Sequence, residues 1–275
     1  PVTIEPALRL LIDCCHNRFG DLDMGELAPR LRQADGERLV LLARRHGLEA
    51  LVWSCLRQAQ VVLPGTAELG RDARQAILAA EEAGRESARL THALSRASLP
   101  HLFTAGPALA SLVWGDRTLG ESRIGLLVAP AGIPKAAALL ASLGFVQEEP
   151  DPSVDSADWH RRAWRSRWRS DDGVLLDLQT RVAEQKSILP SVTSSTPPLL
   201  VAADGEAALP TFPAWLQLSL LSVRGCSEAW CRLRLAAELA SVARQIPPGL
   251  LRQAAEQGVR LGVERPLAAG LVLAK

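Results

Sequence analysis

Apolar positions recur at helical spacing from about residue 5 to residue 98. The run DGERLVLLARRHGLEALVWSCLRQ, residues 35–58, predicts two helices broken at His46-Gly47. After Pro64-Gly65, Thr66 is a candidate cap for a long helix, with Leu69, Ala73, Ala76, Ala80, Ala83, Ser87, Leu90 and Leu94 on one stripe. Most of these residues are small, which favours close helix–helix packing. From His101 to about Thr180 the period shortens. HLFTAG, RIGLLVAP and GVLLDLQT read as strands, the last entered through the turn signal Asp171-Asp172-Gly173. PALASLVW and IPKAAALLASLGF read as helices, the first with proline in its opening turn and the second ending at Gly144. From Leu199 onward helical patterns return, after the Pro/Ser/Thr-rich loop LPSVTSSTPPLL. The pattern thus gives three regions: helical 1–98, α/β 99–184, and a loop with helices over 185–275.

Composition narrows the class. With 275 residues, 48% hydrophobic and 22% charged, the chain has the makeup of a globular protein rather than a disordered one. Its 31 Lys plus Arg against 30 Asp plus Glu leave a net charge of +1, so any basic patch is local. Cys14, Cys15, Cys55, Cys226 and Cys231 are odd in number and lack metal-like spacing, which fits free thiols of a reducing compartment. The uncharged run Ala207 to Val223, which no other exceeds in length, is interrupted by Pro210 and Pro213 and is too short and polar for a membrane span. A bacterial cytoplasmic protein is expected, the Ala/Arg/Leu-rich composition suggesting a GC-rich genome.

Residues 105–145, AGPALASLVWGDRTLGESRIGLLVAPAGIPKAAALLASLGF, resemble the core of an uncharacterised bacterial nucleotidyltransferase family of the DNA-polymerase-beta-type superfamily. Gly106, Trp114-Gly115-Asp116, Ile124, Leu126-Leu127-Val128 and Gly144-Phe145 keep its frame. His46-Gly47-Leu48 resembles its N-terminal helical region. The segment WCRLRLAAEL at 230–239 resembles its C-terminal helix, with Glu238 where an Asp is usual. The resemblance implies an α+β fold: a small mixed sheet with helices, flanked by N-terminal and C-terminal helical regions.

It also implies a chemistry. Nucleotidyltransferases of this superfamily set two carboxylates two residues apart on one strand, so that period-two alternation aims both to one face. A third comes from a neighbouring strand, and the three hold two divalent ions about 3.5–4 Å apart. Carried over by position, the pair falls at Arg123 and Gly125 and the third at Asp177, with Gln179 where the family has His. The Lys of the glycine turn is Ala105, and Pro107 after Gly106 has no N–H to offer a phosphate. A cation and a bare backbone position cannot supply the oxygens Mg²⁺ requires. No catalytic set, metal site or cofactor is therefore expected, with Asp177 the retained candidate carboxylate and Mg²⁺ needed only if the chain is active. Arg123 is expected either to replace the lost metal as a bidentate counter-charge to Asp177, to stand exposed, or to bind an anionic ligand directly. Ligand-binding candidates are Gly106, Arg123, Asp177 and His160, the last near where that family carries histidines ahead of its final core strand.

The stretch DWHRRAWRSRWRSDDG, residues 158–173, carries five arginines and three tryptophans. Read as a strand paired with 174–180, it puts His160, Arg162, Trp164, Ser166 and Trp168 on one face and Trp159, Arg161, Arg165, Arg167 and Arg169 on the other. A nucleic-acid surface is one reading, and an amphipathic hairpin with Trp164 and Trp168 in the core is the favoured one. Cys14-Cys15-His16 shows no positioned base, so buried or surface thiols are expected.

Three functional classes follow. The first is a degenerate, non-catalytic binding or accessory scaffold, in the modified-peptide or surface-polysaccharide pathways with which the resembled family is associated. The second is an active Mg²⁺-dependent nucleotidyltransferase with rearranged acids Glu121, Asp116 and Asp177, although Glu121 would need a bulge to join the others. The third is an RNA-associated protein using the Arg/Trp-rich hairpin. A protein or peptide partner is expected, nucleotide is a candidate ligand, and nucleic acid and membrane are disfavoured.

Overall fold

A computed structural model describes residues 4–203 and 206–274. The N-terminal third is helical: α1 (Pro6–Arg18), α2 (Met24–Arg32), α3 (Gly36–His46), α4 (Glu49–Gln58) and α5 (Thr66–Arg96). Asp23 and Asp35 cap α2 and α3 by accepting from the N–H groups of Glu26 and Arg38. Gly47, left-handed at φ 67°, ends α3 where the sequence predicted the break. Thr66 is not a cap: Gly65 holds that position, and the Thr66 hydroxyl donates backward to the Leu63 carbonyl at 2.7 Å. The 31 residues of α5 extend about 46 Å and link two cores. Leu69 packs with the N-terminal helices, whereas Ala83, Leu90 and Leu94 pack under the sheet.

The sheet is mixed and seven-stranded, in the order β3-β4-β5-β2-β1-β7-β6. Its strands are β1 (His101–Ala105), β2 (Ile124–Val128), β3 (Val146–Glu149), β4 (Arg165–Arg169), β5 (Leu175–Gln179), β6 (Leu199–Ala203) and β7 (Glu206–Thr211). Between them lie α6 (Pro107–Trp114), α7 (Ile133–Ser142) and the one-turn α8 (Ser156–His160). The chain ends in α9 (Ala214–Ser227), α10 (Leu233–Gln245), α11 (Pro248–Arg260) and α12 (Glu264–Leu273). The α+β architecture matches the sequence reading, and two local expectations are corrected. Residues 199–203 and 206–211 are antiparallel strands that complete the sheet instead of starting the helical region. Residues 156–160 are helical, because Asp155 accepts from the Asp158 N–H, so the arginine-rich strand begins only at Arg165.

Alternation along β2 and β5 gives the sheet two unlike faces. Ile124, Leu126, Leu176, Leu178 and Trp168 are buried with Phe103, Ala136 and Leu140 against α5 and α7. On the other face Leu102 and Leu127 pack with Phe212, Leu216, Leu261 and Val263. A third core joins the N-terminal helices to α6 and to Leu218, Leu239, Val242 and Leu267 of the C-terminal ones. Regions 1–98 and 185–275 therefore share apolar packing, and region 185–275 supplies two strands to the sheet. No helix among the described residues is long and apolar enough to cross a membrane.

Candidate functional site

The parallel pairing of β2 with β5 sets Gly125 beside Asp177, and the antiparallel pairing of β5 with β4 sets Arg167 across from the same aspartate. Side chains opposite one another in register share a face. Arg123, just before β2, is in phase with Gly125. Arg123, Arg165, Arg167 and Asp177 therefore converge on one side of the sheet. The Asp177 side chain is only 7% exposed, while the three arginines are 31–43% exposed. Arg123 Nη1 donates to Asp177 Oδ2 at 3.4 Å. Arg165 Nη1 lies 3.8 Å from that oxygen, and Arg167 Nε 3.9 Å from Oδ1. The Arg123–Asp177 pair exists, but it is single and long, not bidentate. Asp177 Oδ1 and Arg167 Nε are both buried without a hydrogen-bond partner.

Gly125 leaves no room for a side chain. A Cβ there would run into Thr104 Oγ1 and come within 3.2 Å of Ala105 Cβ. Thr104 Oγ1 in turn donates to Gln179 Oε1 at 3.1 Å, two residues along β5 from Asp177. Gly106, at φ 86°, has conformational freedom for a different reason: a Cβ would sit 2.7 Å from the Arg123 carbonyl oxygen. The turn into α6 thus lies flat on the backbone of the site, and buried Pro107 opens the helix.

His160 is not part of this constellation. It is buried on the opposite face, where Ser166 Oγ lies 3.0 Å from His160 Nε2 and accepts from Trp168 Nε1 at 2.9 Å. Burial lowers the His160 pKa to about 4, which keeps the ring neutral near pH 7. Trp168 is in the core as expected, Trp164 is half-buried, and Arg165 stacks 5.3 Å from the Trp164 ring. The outer arginines have acidic neighbours: Arg169 pairs with Glu148, and Arg167 lies 3.6 Å from Glu149.

The other acids considered for chemistry are engaged elsewhere. Asp116 accepts from the Thr118 N–H at 2.9 Å and from its hydroxyl at 2.6 Å, capping the short turn 117–119. Glu121 takes both its oxygens to Arg224 Nη2 at 2.8 Å, and Arg232 Nη1 adds a contact at 3.3 Å. Burial alone would raise the Glu121 pKa, but Arg224, Arg234 and Arg232 outweigh it and hold the carboxyl below its usual range. Beside this clasp, His46 Nδ1 accepts from the Leu233 N–H at 3.0 Å, and Arg234 donates to the carbonyls of Gly47 and Leu119. The sequence segments 46–48 and 230–239 therefore meet at the stretch leading into β2. Cys14, Cys15 and Cys55 are buried free thiols and Cys226 and Cys231 exposed ones.

Sequence reasoning treated Arg123 and the arginine-rich stretch as separate features. The structure joins them. The signal was available in the hairpin: with the turn centred on Asp171-Asp172-Gly173, counting outward in register brings Arg167 opposite Asp177.

The family model described as an uncharacterised nucleotidyltransferase matches residues 32–275. No curated protein matches the chain.

Proposed function

The chain belongs to the uncharacterised nucleotidyltransferase family, and from that premise we propose that it is a non-catalytic member which uses the old metal-binding face as a ligand-binding scaffold. The observation that carries this reading is the placement of Arg123 on Asp177 beside a glycine whose side-chain space Thr104 occupies. A pair of divalent ions needs several anionic oxygens on one face. This face offers Asp177, with half-exposed Glu149 beside Arg167, against three guanidiniums, and the net positive charge there repels a cation that Asp177 would hold weakly. The residues do not fit a metal pair. The rearranged-acid alternative is disfavoured by the commitments of Asp116 and Glu121, since freeing Glu121 would leave Arg224 without its main partner. The RNA reading is weakened because Arg167 and Arg169 already lie beside Glu149 and Glu148. An accessory role with a protein or peptide partner in the cytoplasm is the corresponding cellular proposal.

Mn²⁺ titration followed by electron paramagnetic resonance tests the reading, together with calorimetry of ATP with and without Mg²⁺. The expected result is no ordered Mn²⁺ site and no Mg²⁺-dependent nucleotide binding. Tight Mn²⁺ binding that disappears in Asp177→Asn would overturn it.

A further inference from the structure

We propose that Arg123, Arg165 and Arg167 form a metal-independent binding site for the phosphoryl group of a small phosphate ester, with Asp177 as an internal placeholder for that group. The proposal rests on the non-catalytic reading and names the ligand class of the same face.

Charge is the first observation. Three guanidiniums lie within 4 Å of one carboxylate, and counting half-exposed Glu149 beside Arg167 still leaves positive charge uncompensated. Hydrogen bonding is the second. Each guanidinium carries five N–H donors in a fixed fork, yet the only hydrogen bond among these three arginines and Asp177 is the 3.4 Å contact from Arg123. Arg167 Nε is buried without an acceptor, and Asp177 Oδ1, on a side chain 7% exposed, is buried without a donor. Such groups cost free energy when left unmatched. The planar Asp177 carboxylate, with two oxygens, leaves the three forks, two from β4 and one from the residue before β2, poorly matched. A tetrahedral phosphate, with three free oxygens and a charge of about −1.5 to −2 near neutral pH, can match them.

Support is the third observation. Arg123 leaves the sheet where its carbonyl is pressed by Gly106, and Arg165 and Arg167 stand two apart on β4, so all three start from ordered backbone. Arg165 is further steadied over the Trp164 ring. The heads remain 31–43% exposed, so an incoming ligand reaches them without opening a core.

The sign of the Asp177 effect distinguishes this site from a metal site. As placeholder, Asp177 competes with the phosphate for the arginines, so removing its charge should strengthen anion binding. As metal ligand, it would be required for Mg²⁺-dependent binding.

The experiment is calorimetry of the full chain in EDTA at low salt, with inorganic phosphate, pyrophosphate, ribose 5-phosphate and AMP as probes and tryptophan fluorescence as a second readout. Saturable binding is expected, weakened about tenfold in Arg165→Gln and in Arg167→Gln, and tightened at least about threefold in Asp177→Asn. Arg165 is an exposed strand residue, so its variant should fold, and unchanged circular dichroism confirms this. Tighter binding of AMP than of ribose 5-phosphate would identify a nucleotide as the source of the phosphate, and equal binding a phosphosugar. Both results support the site. Absence of binding for all four probes overturns it, as does binding that Arg165→Gln leaves intact or that Asp177→Asn weakens. If Mn²⁺ binds at Asp177 instead, the non-catalytic reading fails as well; if neither metal nor anion binds, only the present proposal fails.

Discussion

Glu121 and Asp177 are two carboxylates set among arginines, on either side of the same strand entry, yet their surroundings differ. Glu121 is hydrogen-bonded through both oxygens to Arg224 at 2.8 Å, and Glu228 ties Arg224 and Arg232 together at 3.0 Å each. Asp177 is more deeply buried, but its guanidiniums stop at 3.4–3.9 Å and one oxygen has no partner. The first arrangement is a closed clasp between the helical C-terminal region and the segment before β2. The second is open. Satisfied charge holds a fold together, whereas poorly matched charge on well-supported strands is poised to accept something else.

The largest expected effect follows from breaking the clasp. Glu121→Ala should lower stability by about 3 kcal/mol, because it leaves half-buried Arg224 and Arg232 to share Glu228 as their remaining ion-paired carboxylate. Urea denaturation measures it. A loss below about 1 kcal/mol would mean that the clasp is no stronger than an ordinary surface ion pair, and the contrast with Asp177 would vanish.

Next in size is the attempt to rebuild the missing acid. Gly125→Asp should cost about 2 kcal/mol, since its Cβ collides with Thr104 Oγ1 and crowds Ala105. Combining it with Thr104→Ala should recover part of that loss while sacrificing the hydrogen bond to Gln179. Neither variant should gain Mn²⁺ affinity while Arg123 remains, and a gain would show that the charge of Arg123 is not what excludes cations.

These contrasts were unevenly legible in the sequence. The strands flanking the site were clear, because RIGLLVAP and GVLLDLQT are short, mostly apolar segments rich in Ile, Leu and Val and of strand length, and so was the phase of Arg123 with Gly125. The β6–β7 pair was not, because LLVAA and EAALPT are alanine-rich and read equally well as helix. The Asp204-Gly205 dipeptide between them was the available turn signal. His160 was placed in the arginine-rich strand because period-two alternation fits it, yet the Asp155 cap starts a helical turn that ends at this residue. Local capping overrode the strand pattern here, although alternation had already put His160 on the face of Ser166 and Trp168, away from Asp177, where the structure buries it. The clasp at Glu121 was hidden for another reason: its partners are about a hundred residues away, and no local pattern encodes which helix returns to the strand entry.

Acid sharpens the comparison by separating these groups. The His160 pKa is depressed from 6.5 to about 4, so between those values the unfolded chain binds a proton that the folded chain refuses. Stability should therefore fall by up to about 1.4 kcal/mol per pH unit as pH drops from about 6.5 to about 4. Glu121, held below its usual range, favours the folded state above about pH 4.5. That contribution is lost as pH falls further through its folded value. Thermal melts across pH 3–8 should show both phases. His160→Gln should make the upper phase shallower, leaving the part due to His46 and His101, and Glu121→Gln should do the same to the lower one, which Glu228 and Asp21 share. A wild-type profile flat from pH 7 to 4 would refute the burial of a neutral His160.

The smallest change is expected where the charge is densest. Asp177→Asn keeps the shape of the side chain and removes its charge, and its arginine neighbours are 31–43% exposed, so water can replace what the carboxylate gave them. The long contacts mean that little hydrogen-bond energy is lost, while burying a neutral amide costs less than burying a carboxylate. The expected net effect on stability is below about 1 kcal/mol, of either sign. Side by side with Glu121→Ala in the same urea series, this separates a carboxylate that holds the fold from one that holds a place. A loss as large as that of Glu121→Ala would make Asp177 a structural anchor, and the arginines around it a clasp of the same kind.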